Sequence, residues 1–157
     1  MAIIWEADEP GSGREITYKQ LQAEVCRVAN VLKAHGARKG DVVCIYMPMM
    51  PEAAVAMLAC ARLGCLHSVV FAGFSTQAVK SRVEDAKCRF VITANEGLRA
   101  GKHIPLKETV DEAVQGLDVV EKVFVFPRTD TEVPMKKGRD VNMRKATAEA
   151  SDQCDIV

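Results

Sequence analysis

GDVVCIYMPMMPEAAVAMLACARLGCLHSVVFAGFS, residues 40–75, decides the fold class. VVCIYM, at 42–47, is a short apolar run between Gly40 and Pro48 and suits a strand buried on both faces. Pro51 suits the first turn of a helix, where its missing N–H would have no partner anyway. That helix is expected to run to about Leu63, with Gly64 stopping it. HSVVF, at 67–71, is the next strand. AGFS then turns the chain into a helix near 75–87, with Ser75 or Thr76 as its cap.

Working outward, the same alternation continues. AIIWEA, at 2–7, reads as a short strand and DEPGSGRE as turn chemistry. A helix follows from Thr17, which forms a capping-box pattern with Gln20. Leu21, Val25, Val28, Ala29 and Leu32 keep helical spacing, and Gly36 closes the helix. Downstream, RFVITA at 89–94 is a strand, a short helix falls at about 107–115, and EKVFVF at 121–126 is another strand. Alternating strands and helices imply right-handed crossovers. The expected fold class is therefore α/β, a partial doubly wound, mainly parallel βαβαβ sheet. Residues 1–126 form this subdomain. Residues 127–157 are polar and read as an irregular connection with one short helix near 142–150 and no obvious place to dock.

The chain has 157 residues, enough to bury a sizeable core. Lys plus Arg number 21 and Asp plus Glu number 21, so no basic excess favours nucleic acid or a membrane surface as a partner. Six cysteines form no C-x-x-C pair, and only three histidines are present, which argues against a zinc site. The cysteines lie mainly among apolar neighbours and read as buried and reduced, as expected of a cytoplasmic protein. MAIIWEADEP has neither the basic start nor the apolar run of a signal peptide.

The candidate site is NEGLRAGKHIPLK, 95–107, which carries Arg99, Lys102, His103 and Lys107 after a strand. Ligands of open parallel sheets bind beyond the carboxyl ends of the strands. FAGFS leaves another such end and enters a helix, whose first N–H groups favour anions. Gly73, Gly97 and Gly101 would let a ligand approach the backbone. Arg99 and Lys102, three residues apart, could contact one phosphate. An ordinary solvated loop fits the same residues. No P-loop, dinucleotide fingerprint or G-x-S-x-G occurs. His67 reads as a core or edge histidine, and Glu84 and Asp85 beside Arg82 as a charged helix face. KKGR at 136–139 reads as solvated, and Met47, Met49, Met50 and Met57 as packing. The residues themselves contain no catalytic constellation.

The 40–75 stretch strongly resembles the start of the large domain of acyl-adenylate-forming enzymes, and most closely the AMP-forming acetyl-CoA synthetases. AIIWEADEPGSGREITYKQL, 2–21, and SRVEDAKCRFVITANEGLRAGKHIPLKETVDEA, 81–113, resemble the flanking segments. FAGFS together with ITANEGLRAGKHIPLK points to the acetate and propionate branch. The resemblance implies that Arg99, Ala100, Gly101 and Lys102 contact coenzyme A at its 3′-phosphate-bearing end, and that Phe71, Ala72 and Gly73 lie beside its adenine. Lys102 stands where some members have arginine, keeping the charge without the bidentate fork.

The same resemblance implies a parent enzyme that makes acetyl-CoA from acetate, ATP and coenzyme A through acetyl-AMP, with Mg²⁺. The family's ATP loop, rich in Ser, Thr and Gly and ending in Lys, has no counterpart in residues 1–157. The expectation is an internal piece of a longer enzyme that supplies part of the coenzyme A site, is inactive alone, and exposes apolar surface through which it could self-associate. A piece of a propionate–CoA ligase, or a stand-alone binding domain, are the alternatives.

Overall fold

A computed structural model describes all 157 residues. The chain opens with a two-stranded antiparallel ribbon, β1 (Ile3–Trp5) and β2 (Arg14–Ile16). Helix α1 (Tyr18–Ala34) follows, and Thr17 and Gln20 form the expected reciprocal cap. Then come β3 (Val42–Met47), α2 (Pro51–Arg62), β4 (Leu66–Phe71), α3 (Thr76–Asp85) and β5 (Phe90–Ala94). Pro51 opens α2 and Ser75 caps α3, accepting from the Ala78 N–H.

The next segment differs from an irregular loop. It is a β-hairpin, β6 (Gly97–Arg99) and β7 (Lys102–Ile104), running into α4 (Leu106–Ala113). Ala100 and Gly101 form its turn at φ 49° and 75°. Two adjacent positive φ values characterise the primed turns whose twist matches a hairpin. After β8 (Lys122–Phe126) come β9 (Asp140–Asn142) and α5 (Met143–Glu149).

The central sheet is five-stranded, wholly parallel, in the order β4-β3-β5-β8-β9. From β3 the chain moves outward to β4, then crosses back to the far side of β3 for β5. The topological switch point therefore lies between β3 and β5. β3 and β5 are buried almost throughout because helices cover both faces, which explains their unbroken apolar runs. One apolar core of 35 buried residues includes Ile45, Val55, Phe90, Ile92, Phe124 and Met143. Met49, read from the sequence as packing, is instead 81% exposed.

Residues 127–157 do find a place to dock. Asp140, Val141 and Asn142 pair in parallel with β8, and buried Met143 joins the core. Asn30 of α1 donates to the Ser151 and Gln153 carbonyls, and Arg62 of α2 binds the Cys154 carbonyl. The polar composition concealed this because the attachment is made largely by backbone and ion pairs. Arg139, from the cluster read as solvated, belongs to it: its guanidinium pairs with Asp111 and Asp140.

β4 is an edge strand. Leu66, Val69 and Phe71 are 62%, 54% and 55% exposed along it. No Lys or Pro protects LHSVVF, although edge strands are commonly guarded by such residues. His67 is exposed on this edge.

Candidate functional site

The geometry begins at the switch point. A side chain placed at Gly97, where the hairpin starts, would meet Pro48 at 3.6 Å, so the hairpin rises beside the turn after β3. Within it, Arg99 and Lys102 are direct cross-strand partners. Two like charges placed opposite each other repel. Neither is within ion-pair distance of a carboxylate; all ten ion pairs of the protein lie elsewhere. Gly101 leaves its neighbourhood open, with nothing within 4 Å of where a Cβ would stand. The result is two uncompensated cations flanking a bare turn.

Two basic residues of the same segment are not available to an anion. Lys107 is 1% exposed, and its ammonium is engaged by Asp111, Asp140 and the Pro134 carbonyl. His103 Nδ1 lies 2.7 Å from Glu96 Oε2. Led by that hydrogen bond, and helped against burial by Thr129 and Thr131, the Glu96 carboxyl is held below the usual range.

The turn after β4 is locked from beneath. The Tyr46 hydroxyl, on buried β3, donates to the Phe74 carbonyl at 3.0 Å and accepts from the Gly73 N–H at 3.3 Å. Gly73 sits at φ 108° with nothing within 4 Å of a would-be Cβ, and the half-exposed Phe71 ring lies edge-on to Phe74, centroids 6.2 Å apart. Ala72 is half-buried between them. β4 and β5 both border β3, so this turn and the hairpin emerge on one edge, two strand spacings or about 10 Å apart. No hydrogen bond or ion pair joins Phe71, Ala72 or Gly73 to Arg99 or Lys102.

Beneath the hairpin lies a polar hub that sequence patterning does not expose. Asn95, 4% exposed at the end of β5, donates to the Thr129 and Thr131 carbonyls and the Thr129 hydroxyl. Its own oxygen accepts from the Glu96, Arg128 and Thr129 backbones. The one local signal is a polar residue directly following the buried run FVITA.

A cleft of about 720 Å³ lies elsewhere, lined by Trp5, Arg14, Glu24, Arg27, Arg128 and Arg144 among others. It contains none of the predicted site residues. Two of its four arginines are closely paired, Arg14 with Glu52 and Arg128 with Asp8, both at 2.7 Å; Arg27 lies 3.8 Å from Asp152 and Arg144 is in no ion pair. The Arg14 and Arg128 guanidiniums also lie 5.3 Å and 5.0 Å from the Trp5 ring. Burial, then neighbouring Glu52, pushes the Glu24 carboxyl up.

The comparisons with known proteins agree with the fold. A family model described as "AMP-binding enzyme" matches residues 1–156. The acetyl-coenzyme A synthetase of Alkalilimnicola ehrlichii is 52% identical over 153 residues, covering 98% of this chain and 24% of that protein. That of Vibrio cholerae is 54% identical over 156 residues, with the same coverage. Acetyl-coenzyme A synthetase 2 of Pseudomonas putida is 53% identical over 153 residues, again across 98% of this chain and 24% of its own. The chain thus spans about a quarter of the length of the curated relatives it matches.

Proposed function

Because the chain belongs to the AMP-binding enzyme family, we propose that it supplies part of the coenzyme A site of an acetate–CoA ligase. Such an enzyme makes acetyl-CoA from acetate, ATP and coenzyme A through acetyl-AMP. One observation carries the site assignment: Arg99 and Lys102 face each other across the hairpin at the switch point with no carboxylate to neutralise them. An anion there relieves their repulsion and gains charge-assisted hydrogen bonds.

The residues fit the 3′-phosphate end of coenzyme A. Arg99 offers a planar fork and Lys102 a compact charge. Ala100 and Gly101 add no bulk between them. On the same edge, Gly73 leaves its backbone open to a flat base, and the exposed Phe71 ring offers a stacking face. These residues bind and orient; none of them forms or breaks a bond. ATP and Mg²⁺ act elsewhere in the full-length enzyme, and the 157 residues alone give no turnover. The apolar edge of β4 supports a further part of this reading, in which Leu66 and Val69 contact a second copy of the chain, leaving Phe71 to the base.

Calorimetric titration with coenzyme A and with dephospho-coenzyme A tests the assignment. Coenzyme A binds more tightly, and Arg99→Ala narrows the difference, weakening coenzyme A binding by roughly 1.5–3 kcal/mol. Equal affinity for the two compounds overturns it.

A further inference from the structure

Glu96 joins two pieces of chain that are distant in sequence. Its Oε2 accepts from the Thr129 hydroxyl at 2.8 Å and lies 2.7 Å from His103 Nδ1. Thr129 belongs to the segment after β8, which Asn95 holds through three donated and two accepted bonds. His103 belongs to β7, the strand that carries Lys102. The hairpin has only three cross-strand pairs of its own and forms a separate two-stranded sheet. So short a ribbon is marginal by itself, and its direction depends on what grips it. At its base Ile104 packs on the core and Gly97 sits against Pro48 and Leu106, and the polar grip is Glu96, whose side chain is 13% exposed.

We propose that Glu96 is a positioning residue for the anion site, tethering the Arg99–Lys102 hairpin through His103 to the Asn95-anchored segment around Thr129. This rests on the coenzyme A reading for the ligand, but not for the tether. Electrostatics and positioning predict different outcomes. Glu96 lies beyond ion-pair distance of both cations, and a carboxylate at the base of the hairpin can only weaken their attraction for a phosphate, so charge alone makes its removal neutral or favourable for binding. Loss of the tether instead makes the hairpin pay an ordering cost when the ligand binds.

The experiment compares the full chain with Glu96→Ala and with Glu96→Gln, which keeps an oxygen for Thr129. Coenzyme A binding is followed by calorimetry, and backbone amide exchange across residues 97–104, β3 and β5 by NMR. In Glu96→Ala, exchange accelerates within 97–104 and stays unchanged in β3 and β5, while coenzyme A binding weakens roughly three- to tenfold. Glu96→Gln falls between. Equal or tighter binding by Glu96→Ala overturns the proposal, as does unchanged exchange in the hairpin or equal acceleration throughout the sheet. If the wild-type chain does not distinguish coenzyme A from its dephospho form, the coenzyme A reading fails, and the exchange comparison alone decides the tether.

Discussion

Lys107 Nζ lies 2.9 Å from Asp140 Oδ2, with the two side chains 1% and 0% exposed. The pair connects α4 to β9, the strand contributed by the polar segment after β8. Asp111 and Arg139 complete an alternating cluster around it.

Breaking this pair from one side leaves a buried charge short of its partner. Lys107→Met should lower unfolding free energy by about 3 kcal/mol, the low end of the 3–5 expected, because Arg139 still contacts Asp140. Adding Asp140→Asn should recover part of the loss. Urea unfolding of the two single variants and the double variant measures this; an additive double variant would count against direct pairing.

Acid should loosen the same cluster. Burial raises the Asp140 carboxyl, but hydrogen bonds from Arg139, Lys107 and the Lys136 backbone outweigh it and hold the group below its ordinary value. Its contribution is therefore complete above the unfolded Asp value of about 3.9 and is lost as the pH falls through the lower folded value. Glu96, through His103, and Glu121, through Arg89, act in the same direction. Asp140→Asn should flatten the acid limb of stability against pH, and an unchanged limb would refute the assignment.

Gly101 separates backbone conformation from crowding. A Cβ there meets nothing within 4 Å, yet φ is 75°. Gly101→Ala should cost about 1 kcal/mol locally, from left-handed backbone strain. Amide exchange should accelerate within 97–104 only. Slower exchange in the hairpin would show that the turn does not need the glycine.

Thiol reactivity should be uneven. Cys26, Cys44, Cys60, Cys65 and Cys88 are buried, and only Cys154 is partly exposed. Burial, then neighbouring Cys65, pushes the Cys60 thiol up to about 12. An aromatic disulfide reagent should label one thiol quickly in the native chain and all six after denaturation. Rapid labelling of three or more would contradict the burial described.

Local patterning determined much of this molecule. The runs VVCIYM and FVITA are apolar throughout because helices cover both faces of their strands, so they were legible as buried parallel strands. Thr17, Pro51 and Ser75 marked helix starts because capping is a short-range interaction. Arg99 and Lys102 could be singled out by charge and by their place after a strand.

Tertiary structure decided the rest. Whether Arg99, Lys102, His103 and Lys107 act together depended on partners up to 33 residues away, such as Asp140 for Lys107. Those partners withdrew Lys107 and His103 and left the other two cations free. β9 escaped sequence reading because three residues pairing at an edge carry almost no periodic signal. The partner that gives Asn95 and Glu96 their roles, Thr129, is brought beside them only by the fold. Sequence patterns report neighbours along the chain and which faces are covered; only the folded chain decides which buried polar groups find each other.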